Sequence, residues 1–230
     1  VPHTLGNGDD PDNNLYWGAM YGVKTFFTRS QHWKLLSTIQ APPPVPKRTW
    51  GKWLSRFQKP TNPVLERCVF QHTRENVYLV ADAYKGSTIK QTIIDFLNAA
   101  SGASKELVSI QRDSQTIVLN IHGASQLVVY VGHDGLMDFQ LRSYPARQDE
   151  QPRDAMILAC ISKHYFYEPL LKSGAIPLLW TTGLMAPEAY TLESAIEGWI
   201  AQESPESIRL RAARAYNAYQ KCGLKAAKNL

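Results

Sequence analysis

Two reactive side chains follow two apolar runs in the middle of the chain. His133 closes the run 127–131 within a Gly-His-Asp-Gly turn, and Cys160 closes the run 155–159. A thiol beside an imidazole is the minimal requirement for a cysteine nucleophile, because the imidazole can take the thiol proton and deliver it to a leaving group. The pair therefore predicts nucleophilic chemistry, provided that the fold brings the two residues together.

The two runs are the elements that must position this pair. Short continuous apolar runs that contain β-branched residues are typical of strands buried on both faces, as in a parallel sheet covered by helices. Neighbouring parallel strands end at one edge of the sheet, and ligands bind at that edge in open α/β sheets. We therefore expect His133 and Cys160 to meet, although they lie 27 positions apart.

The other histidines and cysteines of the chain have weaker sequence contexts than this pair. Taken alone, Cys160 is interpreted as a buried core cysteine, since free cysteine is among the most buried residue types. His133 alone fits a hydrogen-bonded histidine at a strand end equally well, and it is the pairing that favours chemistry. His122 follows a strand-like run that includes the polar Asn120, which indicates a turn residue. Cys68 has no comparable context, and Cys222 is predicted on the buried face of the last helix. Both are expected to be inert.

Elsewhere in the chain, segments with the apolar spacing of strands alternate with segments that have the spacing of helices. Residues 64–71 fit either a strand or part of a helix. Thr88 with Gln91 forms a capping box, Gly102 and Gly174 are placed to end helices, and Ser204 is placed to begin one. This alternation predicts the α/β class. Further strands are predicted at about 76–81, 116–121 and 176–180, and helices at about 15–26, 89–100, 165–172, up to 200, and 205–222.

Residues 5–14 are rich in Gly, Asn and Asp. One interpretation is a turn in which Asn13 or Asn14 caps a helix that begins at Leu15. The other interpretation is a substrate-facing loop, because helices of doubly wound sheets begin at the edge where ligands bind.

Composition is that of an ordinary globular chain of one domain: 230 residues, 44% hydrophobic and 20% charged. No apolar run approaches the ~18 residues that a membrane-spanning helix needs, so no membrane span is predicted. Three cysteines are too few for a disulfide framework, which favours a reducing compartment such as the cytoplasm over secretion. No cysteines have metal-ligand spacing and the histidines are scattered, so neither a metal nor another cofactor is expected.

The net charge of +5 is concentrated in one segment. Residues 41–63 carry five Lys or Arg and no acid, so they account for +5 − 0 = +5 and the remainder is neutral. A basic surface over the whole protein is therefore not indicated, and nucleic acid is not an expected partner. The segment is rich in Pro and is predicted to be an insertion with a short helix bearing Trp50, Trp53 and Phe57. That aromatic face either packs on the domain, or residues 47–59 form a basic and aromatic surface that binds a protein or nucleic-acid partner.

The two strand-end motifs resemble those of the caspase-like (clan CD) cysteine peptidases, which include caspases, legumains, gingipains and separases. The similarity extends in the order of elements over roughly residues 76–200. Residues 178–190 are similar to the legumain-like strand and loop that wall the specificity pocket. The motifs read Val131-Gly132-His133-Asp134-Gly135 and Leu158-Ala159-Cys160-Ile161-Ser162.

This resemblance implies a single domain, residues 1–230, with a three-layer αβα arrangement around a mostly parallel sheet. It implies His133 as the acid/base and Cys160 as the nucleophile that attacks a peptide carbonyl. Backbone N–H groups of Gly135 and Cys160 would form the oxyanion hole. The expected substrate is a peptide or protein, and no cofactor is implied.

The same resemblance suggests residues for the substrate pocket. Thr181 and Thr182 lie on the wall-forming strand and loop. A basic P1 residue would need a carboxylate, and the loops expected to offer one contain Asp9, Asp10, Asp82 and Glu188. An acidic P1 residue would instead need an arginine, such as Arg29 or Arg142. P1 is the substrate residue whose carbonyl is attacked, and the sequence leaves its identity open.

The sequence departs from the family pattern at three points, of which the first two favour an alternative function. Asp134 stands where the family commonly has Gly, and Lys163 stands where small residues are frequent. A first strand would belong before Leu5, so the chain, which starts at Val1 without an initiator Met, is expected to have lost residues upstream. The alternative function is a catalytically inactive caspase-like interaction or regulatory module. The oligomeric state is left open.

Overall fold

The computed structural model describes residues 3–41, 62–112 and 114–230, and these residues form eight strands and seven helices. The predicted insertion helix and the possible partner surface at 47–59 lie outside the described residues. The strands are β1 Trp33–Gln40, β2 Val64–His72, β3 Tyr78–Tyr84, β4 Lys105–Arg112, β5 Gln115–His122, β6 Leu127–Val131, β7 Asp154–Leu158 and β8 Ile176–Leu179. The helices are α1 His3–Gly6, α2 Val23–Arg29, α3 Ile89–Ser101, α4 Ser162–Ser173, α5 Ala189–Ile200, α6 Pro205–Gln220 and α7 Leu224–Asn229.

A parallel sheet of three strands contains the two apolar runs that precede His133 and Cys160. Its order is β6-β7-β8, and β6 pairs with β7 from Leu127↔Asp154 to Val131↔Leu158. Helix α4 makes the crossover from β7 to β8. The α/β class and the prediction that the two apolar runs are neighbouring parallel strands are therefore confirmed.

The other strands are antiparallel, so the expected mostly parallel sheet is found only in part. Strands β1-β2-β3 form one sheet and β4-β5 a second, and every pair in both is antiparallel. For the pairs β2–β3 and β4–β5, short connections explain the antiparallel arrangement. Only residues 73–77 join β2 to β3, whereas a parallel crossover needs about a dozen residues or more. The segment 64–72, ambiguous in the sequence, is a strand.

Helices cover both faces of the parallel sheet, which is why β7 is apolar from Ala155 to Leu158. Ala155 and Ile157 point into a cluster that contains the apolar residues of α3 and α4. Met156 and Leu158 point into another cluster, built with α2, α5 and α6. All four side chains are buried. A strand with one polar face could not occupy this position.

Several predicted helix ends are confirmed. Gly102 (φ 79°) and Gly174 (φ 73°) adopt the left-handed conformation directly after α3 and α4, which favours glycine. The Ser204 side chain accepts the backbone N–H of the third residue of α6. The capping box at Thr88 is wrong, because the Thr88 hydroxyl donates instead to the carbonyl of Lys85, within a 3-10 turn that precedes α3.

The helix predicted to start at Leu15 begins only at Val23. Residues 15–22 form turns instead, for a tertiary reason. The Trp17 indole donates to the buried carboxylate of Glu66 at 2.5 Å. A Cβ at Gly18 would lie 2.3 Å from the carbonyl oxygen of Asp12, so the backbone passes closer there than any other residue allows.

The prediction that Cys222 lies on the buried face of the last helix is also wrong. Helix α6 ends at Gln220, Lys221 takes the left-handed conformation (φ 56°), and Cys222 is exposed. The sequence predicted the helix to continue to Cys222, because the first glycine that could end it is Gly223.

Across the described part of the chain, no helix combines the length and the hydropathy that crossing a membrane requires.

Candidate functional site

Strands β6 and β7 carry His133 and Cys160 to the same edge of the sheet. The last register pair is Val131↔Leu158, and the Gly132 N–H extends the ladder by donating to the Leu158 carbonyl at 3.1 Å. Each reactive residue lies two positions beyond that last pair. Because paired strands are ~4.8 Å apart, the two backbones leave the sheet side by side. The two segments therefore share one edge of the sheet, and the predicted meeting of the His133 and Cys160 side chains stays a prediction.

His133 is oriented by two neighbours. Its Nε2 lies 2.6 Å from Oδ2 of Asp138, and its carbonyl accepts a 2.6 Å hydrogen bond from the Tyr130 hydroxyl. The imidazole is about half exposed, with 49% of the side-chain surface accessible. A carboxylate on one ring nitrogen fixes the tautomer and the ring direction, which a general acid/base requires. Sequence reasoning missed Asp138, although an acid one turn away in the same loop was visible.

Cys160 lies in a sharp strand-to-helix turn between β7 and α4. The next residue, Ile161, takes the left-handed conformation (φ 52°, ψ 28°), which is an outlier for a β-branched side chain. The turn is held by the Ile161 N–H, which donates to the Gly183 carbonyl at 2.9 Å. Cys160 is partly exposed, whereas Cys68 is fully buried. The turn thus presents the thiol at the edge of the sheet.

A loop after β8 lies against the Cys160 sulfur. The Met185 N–H donates to Sγ at 3.5 Å, and the thiol lies 3.6 Å from the Met185 carbonyl oxygen. The sulfur therefore lies against the loop that follows β8. Burial raises the pKa of Tyr16, and an electrostatic interaction with Cys160 raises it further.

Two backbone donors near these side chains are without a partner. Within the described ranges, neither the Gly135 N–H nor the Cys160 N–H donates a hydrogen bond. Both were predicted as oxyanion donors. Gly135 cannot be replaced without movement, since a Cβ there would lie 2.9 Å from the Phe139 ring and 3.0 Å from Ile93. Free N–H groups of this kind are suited to bind a negatively charged oxygen.

Asp134 is a buried carboxyl within the histidine turn. Its Oδ1 accepts the Leu136 N–H at 3.0 Å, and its Oδ2 has no hydrogen-bond partner. Burial raises the pKa of Asp134 to about 6, against the opposing effects of the Leu136 N–H and the charge of His133. The Asp134 side chain therefore points inward, where it caps the 3-10 turn that follows.

The two threonines predicted for the substrate pocket have partners within the protein. The Thr181 hydroxyl is buried and donates to the Ala159 carbonyl, and the Thr181 N–H donates to the buried Ser162 hydroxyl at 2.9 Å. The Thr182 hydroxyl donates to the carbonyls of Asn229 and Leu230. These contacts brace the turn around Cys160 and attach the end of the chain to it.

The two carboxylates predicted for the pocket, Asp82 and Glu188, also have hydrogen-bond partners within the protein. Glu188 accepts hydrogen bonds from the Tyr190 hydroxyl at 2.6 Å and from Gln220 at 3.0 Å. Asp82 lies within β3, not beyond its end, and both of its oxygens bind the buried Arg67 guanidinium at 2.6 and 2.7 Å. Asp82 therefore has a structural role between β2 and β3.

The rival histidine, His122, belongs to the same buried charge group. It is the last residue of β5, at φ 57°, and its Nε2 lies 3.3 Å from Glu106. Arg67 contacts Glu106 from the other side at 2.6 Å. Although burial opposes ionisation, hydrogen bonds from His122 and Arg67 lower the pKa of Glu106 to about 2. His122 therefore has a structural role in this charge group, and its position needs no catalytic role to explain it.

A cluster of His32, His72 and Glu197 has three atoms within 4.8 Å of one another, as a metal site would. However, His72 Nδ1 accepts the Glu75 N–H at 3.0 Å. In the neutral imidazole the proton must then lie on Nε2, which faces Glu197 at 3.3 Å. A metal would need a lone pair at that nitrogen. The geometry therefore fits a hydrogen bond, not a metal ligand.

No protein-family model matches this chain, and neither curated proteins nor solved structures provide a match. Functional inference accordingly depends on the geometry of the site.

Proposed function

We propose that the protein is a caspase-like cysteine peptidase in which Cys160 is the nucleophile and His133 the general acid/base. The observation that carries this proposal is the in-register pairing of β6 with β7, from which the two residues emerge side by side. Helices on both faces of this sheet are consistent with the three-layer arrangement that such a fold requires.

The proposed reaction begins with the Cys160 thiolate attacking the carbonyl carbon of the scissile peptide bond. The carbonyl oxygen becomes an oxyanion, which the free N–H groups of Gly135 and Cys160 are suited to stabilise. His133 then protonates the leaving amine as the C–N bond breaks, which leaves a thioester on Cys160. Water, deprotonated by His133, hydrolyses the thioester and regenerates the thiol.

Asp138 extends this proposal to a third residue. With its carboxylate 2.6 Å from His133 Nε2, it directs the other ring nitrogen, Nδ1, as the one that exchanges protons with thiol and substrate. Asp138 is a positioning residue in this scheme, because it contacts the imidazole and not the reacting atoms.

Turnover of a fluorogenic peptide library with varied P1 residue tests the proposal. We expect Cys160→Ala to abolish cleavage and His133→Ala to reduce kcat/KM by about 10²–10⁴-fold, the usual contribution of a general acid/base. Asp138→Asn should lower kcat more than it raises KM. Cys222→Ala is the matched control, because this exposed thiol lies outside the site, and it should leave cleavage unchanged.

One observation favours the inactive module as a second candidate. The Cys160 sulfur is engaged by both the N–H and the carbonyl of Met185, a position that a substrate would have to share. Native alkylation with iodoacetamide distinguishes the two candidates. In a peptidase, Cys160 should react faster than Cys222 and should slow in the His133→Ala variant. Equal or slower reaction at Cys160, with no cleavage of any library member, would refute the peptidase.

A further inference from the structure

The loop that follows β8 covers the Cys160 thiol in this structure. The Met185 N–H donates to Sγ at 3.5 Å, and the Met185 carbonyl oxygen lies 3.6 Å from Sγ. A substrate carbonyl or an alkylating reagent has to reach the sulfur, so a reactive thiol needs exposure. Residues 182–186 must therefore move aside before Cys160 reacts, and the contacts that hold these residues in place control the site.

One side of this loop is held by residues 224–230, which comprise α7 and Leu230. The Thr182 hydroxyl donates to the Asn229 carbonyl at 2.6 Å and to the Leu230 carbonyl at 3.0 Å. The Thr182 N–H also donates to the Leu230 carbonyl. The Leu230 side chain lies against Gly183, where an added Cβ would be 3.2 Å from its Cδ1. Backbone and side chain of one segment thus fasten the loop.

The other side of the loop is held by α6. The Ala186 N–H, directly after Met185, donates to the Tyr216 hydroxyl at 3.2 Å. Helix α6 is placed firmly, because Ile208 and Ala212 are buried in the cluster built with α2 and α5. The contact with Tyr216 is therefore attached to the core of the protein.

Helix α7 is held less firmly than α6. Of its six residues, Ala227 is buried and the other five are exposed. Lys221 (φ 56°) and Gly223 (φ 88°) separate it from α6. A helix this short is not stable alone in water, and segments with few buried contacts open at a low cost in free energy. Release of residues 224–230 is therefore the easiest way to free the loop.

We propose that residues 224–230 are an autoinhibitory latch, which keeps residues 182–186 over the Cys160 thiol while α7 is in place and uncovers the thiol when α7 opens. This inference rests on the proposed function, because it assigns the regulation of the same nucleophile. The closed form is the one described above, and the chain reacts through the minor fraction of molecules in which the latch is open.

The latch connects two rates that a purely structural role of α7 would leave unconnected. Iodoacetamide and a peptide substrate both need the uncovered sulfur, so each rate is proportional to the fraction of open molecules. A change that opens the latch should therefore raise the rate of Cys160 alkylation and kcat/KM by the same factor, to within about twofold.

Two variants of α7 with the same substitution separate the latch from general effects of charge. Ala227→Glu places a carboxylate at a buried position of α7, where a charge without a partner is strongly disfavoured. Ala226→Glu places it at the neighbouring, exposed position. In the full 230-residue chain, Ala227→Glu should raise the rate of Cys160 alkylation at least about tenfold over the wild type. Ala226→Glu should leave that rate unchanged.

Alkylation of Cys68 reports whether the fold is intact. Cys68 is fully buried and should stay protected in both variants, so that faster reaction at Cys160 reports a local opening and not unfolding. Thr182→Val is the milder variant, to be measured if Ala227→Glu exposes Cys68. It deletes only the hydroxyl that binds the latch and should accelerate Cys160 alkylation about fivefold.

The outcomes separate the latch from the proposed peptidase. Equal or slower alkylation of Cys160 in Ala227→Glu than in Ala226→Glu, with Cys68 protected, would overturn the latch, and an unchanged rate in Thr182→Val would do the same. A rise in alkylation without the matching rise in kcat/KM, in a chain that cleaves peptides, would also overturn it. If no variant cleaves any peptide while Ala227→Glu still accelerates alkylation, the latch over the thiol is supported and the proposed peptidase activity fails.

Discussion

Asp134→Asn should change the pH dependence of stability in a defined direction. Asp134 is fully buried, and burial raises the pKa of its carboxyl from 3.8 to about 6. The folded state therefore binds the proton more tightly than the unfolded state does. The stability associated with this proton is fully present below about pH 4, and it is lost as the pH rises through about 6.

The magnitude follows from the size of the shift. A change of about two pKa units, at about 1.4 kcal/mol per unit, amounts to about 3 kcal/mol. Asn carries no charge and keeps the side-chain oxygen that accepts the Leu136 N–H. The amide hydrogens that replace the unpartnered Oδ2 add a cost that does not depend on pH. The variant should therefore gain stability relative to the wild type by about 3 kcal/mol between pH 4 and pH 7.

Urea denaturation of both proteins at intervals of half a pH unit measures this difference. Titrations common to both chains cancel, so the difference in the free energy of unfolding isolates Asp134. Glu150→Gln is the control, because the side chain of Glu150 is 97% exposed, and its difference curve should be flat. A flat curve for Asp134→Asn as well would refute the assignment of a raised pKa to this buried carboxyl.

Three further outcomes are expected. Arg153→Met should destabilise the fold by about 1–3 kcal/mol in urea denaturation, because it leaves the Gly123 carbonyl without the buried guanidinium that donates to it; a loss under 1 kcal/mol would contradict this. Gly8→Ala should lower the melting temperature and Gly6→Ala should not, because a Cβ at Gly8 would lie 2.5 Å from a backbone atom, whereas one at Gly6 meets nothing within 4 Å. Mass spectrometry after iodoacetamide treatment should show Cys222 labelled and Cys68 protected, because burial raises the pKa of Cys68 to about 11; labelling of Cys68 before unfolding would contradict its burial.

The candidate site shows how far local sequence patterns reach. The runs before His133 and Cys160 are apolar because helices cover both faces of their strands, and this requirement is visible in the residues themselves. The stops at Gly102 and Gly174 are likewise local, since a left-handed residue after a helix favours glycine. From these signals the class of fold and the edge that carries both reactive residues were predictable.

Contacts between distant residues decided the rest. The ion pair of Arg67 with Asp82 holds a predicted pocket carboxylate between two strands. The bond from Trp17 to Glu66 accompanies turns where apolar spacing favoured a helix. Each contact joins residues far apart in sequence, so no window of neighbouring residues contains it.

By itself, the sequence determined the α/β alternation, the two parallel strands and the reactive residue types at their ends. Periodicity and turn chemistry are properties of short segments, and they need no knowledge of the remainder of the chain. Only the tertiary structure decided that β1–β3 pair antiparallel, that Asp138 approaches His133, and that Asp134 is buried. These features depend on which surfaces pack against each other and exclude water, and that packing involves residues from the whole chain.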